Sequence, residues 1–299
     1  MTAAQKKNTL TALADAVGVL LLCHGLVSLI FAYIAQRIPS PEWLHLLPDR
    51  LAGPVSAGLC LLLGHWRPGR IKRPAHRYPG DRWQLTAAAA AALGLVVAAG
   101  EFIGGALRLG LPADTAVTDP PATAAGWLIV LVFDCLLTPL AETYFYRGLL
   151  QQAFKPWGER FAVLLAAIPA ALAHHSLAEF LPQLALAVFL GWAVQQLGSL
   201  RMGAVLHVLA ALLLFLLRYI VADTHGISAL GVLILLLAGC LFCGVYGVLQ
   251  LKKLQPPPLQ RRRDPRNRQS RAELLLLSPW FCSAVIVLLA QTLLQSLAA

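Results

Sequence analysis

Ionisable side chains set in apolar stretches are the residues of this sequence that could do chemistry. They fall on three separate segments. In chain order they are Asp134, Glu142 and Arg147, then His174 and His175, then His207 and Arg218. A charged group inside a bilayer is costly unless it faces a cavity or another polar group. A carboxylate and histidines on separate helices could hold and polarise a water molecule, as an intramembrane hydrolase must do.

The composition indicates that a membrane surrounds these residues. Of the 299 residues, 58% are hydrophobic and 13% are charged, and the mean hydropathy is +0.69. A soluble domain has roughly 45–50% apolar and about 25% charged residues, so a soluble globular protein is excluded. Because about 20 apolar residues of helix cross a bilayer, we predict an all-α, polytopic transmembrane helical bundle of about eight or nine spans. The nine apolar stretches are residues 10–36, 51–66, 84–107, 125–154, 161–179, 181–199, 202–222, 227–251 and 273–297.

The distribution of positive charge predicts the orientation of the chain, whose net charge is +10. If the nine apolar stretches cross the membrane one after another, 19 Lys and Arg residues lie on the side of the N-terminus, mostly in a basic loop at 67–83 and a basic linker at 252–271. The other side has three, which are Arg37, Arg50 and Arg108. The positive-inside rule therefore predicts a multi-pass protein of the plasma membrane with a cytoplasmic N-terminus. We expect the basic linker to contact anionic lipid headgroups and not nucleic acid.

The segment with the central glutamate resembles a motif of a known family. Residues 139–148 read P-L-A-E-T-Y-F-Y-R-G, which is similar to the P-x-x-E-E-x-x-x-R-G motif of the CPBP intramembrane proteases (CAAX proteases and bacteriocin-processing enzymes, also called Abi). Glu142 matches the first glutamate and Arg147 matches the arginine. Thr143 stands where the family has its second glutamate.

A second segment resembles the F-x-x-x-H motif of the same family. Ala170 stands where the family has phenylalanine, and His174 is the matching histidine. We match His174 and not His175 because Ser176, Leu177 and Phe180 then fall in the usual register.

A third segment, residues 198–211, is similar to the family motif G-S-L-x-x-x-x-x-x-H-x-x-x-N. His207 is its histidine, and Ala211 stands where the family has asparagine. The three motifs follow in the family's order, each on its own predicted span. They imply a CPBP-like catalytic core over residues 125–222, preceded by helices within 1–124 and followed by helices within 223–299.

The resemblance also implies roles for the residues that match. Glu142 and His174 would position and activate the hydrolytic water, His207 and the missing asparagine would stabilise the oxyanion, and Arg147 would hold the glutamate pair. Losing one oxyanion donor typically costs about 100- to 1000-fold in rate. Ala211 therefore predicts a slow enzyme, a substitute donor or no catalysis.

Family members are described as glutamate-type or metal-dependent proteases, so the expected cofactor is either none or one zinc ion. Glu142, His174 and His207 could be three zinc ligands with water in the fourth position. The sequence has no H-E-x-x-H helix that would fix two ligands by their spacing. This favours a water held by glutamate and histidine over a permanent zinc site.

Each of these residues also has a structural interpretation. Glu142 could serve only to neutralise Arg147, and either His174 or His175 could be an interhelical hydrogen-bond donor. Asp134 could extend the polar pocket or join two helices through a hydrogen bond. The candidate site also has three supporting positions, which are Thr143, Asp134 and His175.

Two further polar residues have simpler expected roles. Thr143 can donate a hydrogen bond to Glu142 but cannot replace a second negative charge. Arg218, with Asp223 and His225 close in sequence, is expected to extend its side chain to the outer membrane interface.

Two function classes follow. The first is an intramembrane endopeptidase that cleaves a membrane-associated substrate, either a prenylated tail or a leader-type peptide, from a site open to the cytoplasm. The second is a catalytically silent membrane scaffold or immunity-type binding protein with the same core, which Thr143 and Ala211 favour. A transporter is disfavoured because the sequence lacks internal repeats and paired interrupted helices.

Overall fold

The structure is a computed structural model that describes residues 3–37, 42–63, 82–110, 121–220, 227–256, 258–259, 275–276 and 278–298. Regular structure in these ranges is helical throughout, which confirms the predicted all-α bundle. The main helices are α1 (Ala3–Arg37), α2 (Glu42–Leu63), α3 (Arg82–Gly110), α4 (Ala124–Trp157), α5 (Glu159–Leu172), α6 (Leu177–Leu197), α7 (Leu200–Phe215), α8 (Ile227–Leu254) and α9 (Pro279–Ala298).

Seven of these helices are long and apolar enough to cross a membrane. They contain the segments Thr9–Ala35, Leu46–Leu63, Trp83–Arg108, Ala124–Trp157, Leu177–Leu197, Leu200–Arg218 and Gly231–Leu254. The other two are shorter, because α5 has 14 residues and the apolar part of α9 covers Pro279–Leu294. Each predicted apolar stretch therefore has a helix, and the chain is an integral membrane protein. The basic loop 67–83 and the basic linker 252–271 lie largely outside the described residues.

Helix α4 is not a uniform α-helix. Two π-helical segments, Phe133–Leu137 and Thr143–Leu150, flank the α-helical stretch Thr138–Glu142. A π segment shifts the side chains that follow it around the helix axis, and such segments are frequent at functional sites. Glu142 is thus the last residue of a short α-helical stretch between two π-helical segments. Neither the motifs nor the hydropathy of the sequence predict these π-helical segments.

The predicted fifth span, 161–179, is wrong in its extent. Helix α5 ends at Leu172 and α6 begins at Leu177, so a short connection holds His174 and His175. Ser176 starts α6 because its hydroxyl accepts a hydrogen bond from the backbone N–H of Glu179 at 3.2 Å. His175 has a φ of 53°, a left-handed conformation that is uncommon for residues other than glycine.

Helix α9 closes the end of α5 beside this connection. The Thr292 hydroxyl of α9 lies 3.3 Å from the carbonyl oxygen of Leu172, at the last turn of α5. From the connection, the backbone N–H of His175 also donates to the Leu172 carbonyl, at 3.0 Å. The 14 residues of α5 span only about 21 Å, which is less than the hydrocarbon thickness of about 30 Å. A helix that ends at membrane depth needs partners for its last carbonyl groups, and the Leu172 carbonyl has them.

Helices α3 and α8 pack at close range through small residues. A Cβ atom added at Gly244 of α8 would lie 2.5 Å from the backbone nitrogen of Leu95 in α3. One added at Gly94 would lie 2.8 Å from the carbonyl oxygen of Cys240. Glycine at these positions lets the two backbones approach, as small residues do in membrane bundles.

Replacing Gly244 with alanine should lower the thermal unfolding temperature of the purified protein. The added methyl group meets backbone atoms, and overpacking of this kind typically costs about 1–3 kcal/mol. Gly239 on the same helix is the matched control, because a Cβ there meets nothing within 4 Å. We expect Gly239→Ala to leave the unfolding temperature unchanged or slightly raised. Equal effects of the two changes would contradict close α3–α8 packing.

Candidate active site

Glu142 and His207 meet between α4 and α7. The Oε2 atom of Glu142 lies 3.7 Å from Nε2 of His207, and each side chain is 13% exposed. Their predicted spans are separated by two others in the sequence, so only the fold brings them together. A carboxylate and an imidazole at this distance can share one small ligand, because a water can hydrogen-bond to both at about 2.8 Å.

Thr143 orients the histidine. Its Oγ1 atom lies 2.9 Å from Nδ1 of His207, and the threonine is 2% exposed. From the sequence this hydroxyl could have donated to Glu142, whereas in the structure its partner is His207. The reason is local: Thr143 begins the second π segment, and on that helix it presents its hydroxyl toward α7. The other ring nitrogen of His207 is thereby turned toward Glu142.

His174 lies near this pair without contacting it directly. It is on the connection between α5 and α6, where its side chain is exposed. It interacts electrostatically with both Glu142 and His207. In the described part of the chain, however, no hydrogen bond or ion pair joins its ring to either of them.

Arg147 is buried but does not pair directly with Glu142 as the sequence predicted. Its side chain is 4% exposed, and its charge interacts with that of Glu142 through space. No ion pair joins the two among the described residues, where Nε and Nη1 of Arg147 also have no hydrogen-bond partner.

Asp134 is part of a different contact. Its Oδ2 atom lies 3.2 Å from Nη1 of Arg50 in α2, so it joins two helices. This contact corresponds to the structural interpretation of Asp134, in which it joins two helices. The sequence analysis counted Arg50 among the outer loops, whereas the structure places it within α2. An apolar environment on α2 and α4 leaves each charge in need of a partner.

Arg218 pairs with carboxylates of two other helices, which the sequence did not predict. Its Nη1 atom lies 2.8 Å from Oε1 of Glu179, and its Nε donates to Oε1 of Glu101 at 2.9 Å. Arg108 binds the same Glu179 oxygen at 2.7 Å. Two carboxylates close to the guanidinium explain why it stays inside the bundle. Asp223 and His225, its neighbours in sequence, lie outside the described residues.

Sequence reasoning missed three ionisable residues, two of them buried (His24 and Glu179) and one partly buried (Glu101). Glu101 and Glu179 are the partners of Arg218, and both lie inside predicted spans, where the rule that selected Glu142 also applies. His24 of α1 is 4% exposed and packs on Phe145 and Tyr146, with ring centroids 5.6 and 6.0 Å apart. His24 also interacts electrostatically with His174 and His175.

His175 is partly buried, and its Nδ1 atom has no hydrogen-bond partner within the described ranges. A supporting role for His175 stays a prediction.

The candidate zinc ligands do not come together as a set. Among the residues that the structure describes, no three His, Cys, Asp or Glu side chains are grouped so that they could hold one metal ion. Zinc needs its ligand atoms about 2.0–2.2 Å from the ion. Only Glu142 and His207 approach each other, and His174 does not complete the group. Glu142, His174 and His207 as placed here therefore do not fit a zinc ion.

Comparison with known proteins finds a family similarity over part of the chain. Residues 124–213 match the family described as type II CAAX prenyl endopeptidase Rce1-like. The matching segment contains Glu142, Arg147, His174 and His207. No curated protein and no solved structure matches the chain. The match indicates an intramembrane protease or a related scaffold. The chain is thus an integral membrane protein with a segment similar to the CAAX prenyl endopeptidases, consistent with the CPBP family.

Proposed function

We propose that this protein is an intramembrane endopeptidase that hydrolyses a peptide bond of a membrane-associated substrate. The observation that carries the proposal is the 3.7 Å approach of Glu142 and His207 from two different helices within the family-matched segment. A buried carboxylate beside an imidazole oriented by Thr143 is a combination that hydrolysis requires and that simple helix packing does not.

In the proposed reaction the Glu142 carboxylate is the general base. It takes a proton from a water molecule while the water oxygen forms a bond to the substrate carbonyl carbon. His207 donates a hydrogen bond from Nε2 to the resulting oxyanion, and Thr143 donates to Nδ1 to hold that tautomer. The C–N bond then breaks, and Glu142 returns the proton to the leaving amine. His174, on the exposed connection, helps to hold the water against Glu142.

Arg147 has a supporting electrostatic role in this proposal. Its buried positive charge lies close enough to interact with Glu142 but is not tied to it by an ion pair. It can therefore stabilise the ionised carboxylate while leaving both carboxylate oxygens free for water. An ion pair in direct contact would occupy one of them.

Replacing Thr143 with valine should lower kcat by about fivefold, because a hydrogen bond of this kind contributes about 1 kcal/mol and here orients the electrophile. Thr143→Ser keeps the hydroxyl and is expected to stay within about threefold of the wild-type kcat. The measurement is the initial rate of peptide cleavage in proteoliposomes at saturating substrate. A valine variant as active as the serine variant would mean that the contact with His207 has no part in the reaction.

The direct test of function uses the purified full chain in proteoliposomes. Three reporter peptides are offered: one with a prenylated C-terminal tail, one with a leader-type segment, and one with a plain transmembrane anchor. Mass spectrometry identifies any cleaved bond, and repeating the assay with a chelator tests metal dependence. Cleavage of one reporter that survives chelation supports the proposal.

A second candidate function is a catalytically silent scaffold that binds a membrane-associated partner in the same core. One observation favours it. Ala211, at the position where the family motif has asparagine, has no side-chain hydrogen-bond donor. Binding of a reporter without cleavage under any condition would establish this alternative.

The proposed setting is the plasma membrane, with the N-terminus in the cytoplasm and the basic linker on anionic headgroups. Two of the three basic residues on the outer side support this orientation. Arg50 and Arg108 are paired with Asp134 and Glu179 inside the bundle, so they add little positive charge to the outer loops. The remaining asymmetry still favours a cytoplasmic N-terminus.

A further inference from the structure

Four charged side chains form a cluster away from Glu142. This charge cluster consists of Glu101 and Arg108 of α3, Glu179 of α6, and Arg218, which follows α7. Glu179 is its centre, because one of its oxygens lies 2.7 Å from Arg108 and 2.8 Å from Arg218. The other oxygen accepts from Gln183 at 3.4 Å. The cluster has two positive and two negative charges and is therefore neutral.

Helix packing alone is a weak explanation for such a cluster. Removing charges from water costs as much as or more than their attraction returns, and apolar side chains of similar size often stabilise a core equally well. Glu179 is 4% exposed and lies in a helix that is apolar enough to span a membrane. A geometric role is a better explanation, because charged hydrogen bonds fix distances and angles that apolar contacts leave free.

The position of Glu179 in the chain indicates which geometry is fixed. It is the third residue of α6, and its backbone N–H bonds to the hydroxyl of Ser176, the residue that ends the connection carrying His174. Its carboxylate is held by Arg218, at the end of the helix that also carries His207. Glu179 further interacts electrostatically with His174 itself. One residue thus links the start of α6 to the helix of His207.

We infer that Glu179, held by Arg108 and Arg218, is a positioning residue that fixes the His174 connection relative to His207. The inference rests on the proposed function, in which both histidines serve one reaction centre. Glu179 touches neither the substrate nor the water in this account. It acts by setting where His174 lies, and the left-handed backbone at His175 is a point at which the connection would otherwise be free to relax.

The first test is Glu179→Gln, which keeps the side-chain shape and the helix start but removes the charge. A displacement of about 1 Å at a reacting group can cost about 100-fold, so we expect kcat to fall by about 10- to 100-fold with KM within about twofold. This variant leaves an excess positive charge. The double variant Glu179→Gln with Arg108→Gln restores neutrality and should recover thermal stability while kcat stays low. Recovery of kcat together with stability would show that the role is only structural and overturn the inference.

The second test does not depend on activity. Hydrogen exchange of the backbone over residues 172–178 is measured in the full-length wild type, in Glu179→Gln and in Ser176→Ala. Ser176→Ala removes the hydroxyl that starts α6 and leaves every charge in place, so it serves even if Glu179→Gln fails to fold. Both variants should exchange at least about fivefold faster in this segment. Ser176→Ala removes the hydrogen bond that starts α6, and Glu179→Gln weakens the hold of Arg108 and Arg218 on its first turn.

Arg50→Gln is the matched control, because it breaks an ion pair between other helices and should leave exchange over residues 172–178 unchanged. Exchange within twofold of wild type in Ser176→Ala and in any folded Glu179→Gln would overturn the inference. If the wild-type protein cleaves no reporter, the proposed function fails, whereas the exchange result still decides whether Glu179 fixes the connection.

Discussion

Replacing Glu142 with glutamine should reduce cleavage of a membrane-tethered reporter by at least about 100-fold, the lower range of what general-base catalysis contributes. Glutamine has nearly the shape of glutamate, but its amide cannot accept the proton of the attacking water. Its nearest ionisable neighbour, His207 at 3.7 Å, can still hydrogen-bond to the amide, so the bundle should remain folded. The measurement is the initial cleavage rate in proteoliposomes at matched protein density.

Glu159→Gln is the matched control for this change. Glu159 is also a poorly exposed glutamate, but it pairs with Lys155 at the start of α5, away from the Glu142 and His207 pair. It should keep cleavage within about twofold of wild type, as most substitutions distant from a reaction centre do. A Glu142→Gln variant that cleaves within a few-fold of wild type would reject Glu142 as the base. Binding of uncleaved reporter by that variant would show that the site is intact.

The motifs in the sequence grouped two residues that the fold also brings together. Glu142 and His207 were assigned to one site, and the structure places them 3.7 Å apart. That grouping came from the resemblance to the CPBP motifs, which implies one catalytic site for both residues. The partner of Thr143 was not predictable, because it depends on the rotation that the second π segment gives to α4.

The placement of His174 shows where span prediction fails. Hydropathy alone joins residues 161–179 into one stretch, since the alanines and leucines continue up to the histidines. The helix ends at Leu172 because Ser176 and Glu179 provide a start for the next helix, a polar signal that an average over a long window hides. His174 is consequently exposed on a connection and does not lie on a span.

Arg218 shows the limit of treating residues one at a time. Near the end of an apolar stretch an arginine is expected to reach water, and only the positions of Glu101 and Glu179 on other helices change that expectation. Both glutamates are visible in the sequence inside predicted spans. A search for opposite charges at similar membrane depth would have found the cluster.

Replacing Ala211 with asparagine should raise kcat by about tenfold or more, because loss of an oxyanion donor costs about 100- to 1000-fold and this change supplies one. Ala211 follows His207 by four positions on α7, so the two lie on one face of the helix. Side chains on a helix lean toward its N-terminus, which directs an asparagine at 211 toward the His207 ring. The alanine is partly exposed, which leaves room for the larger side chain.

Ala211→Leu separates donation from filling of space, because leucine has a similar size to asparagine and no hydrogen-bond donor. It should leave kcat unchanged or lower it. The combination Ala211→Asn with Glu142→Gln should be inactive, since a stabilised oxyanion still requires a base to form it. A gain seen equally with leucine would assign the effect to packing against Cys135, whose thiol lies 3.9 Å from the Ala211 carbonyl oxygen. No gain in either variant, with the fold intact, would favour the silent scaffold, because its core would then lack more than one donor for catalysis.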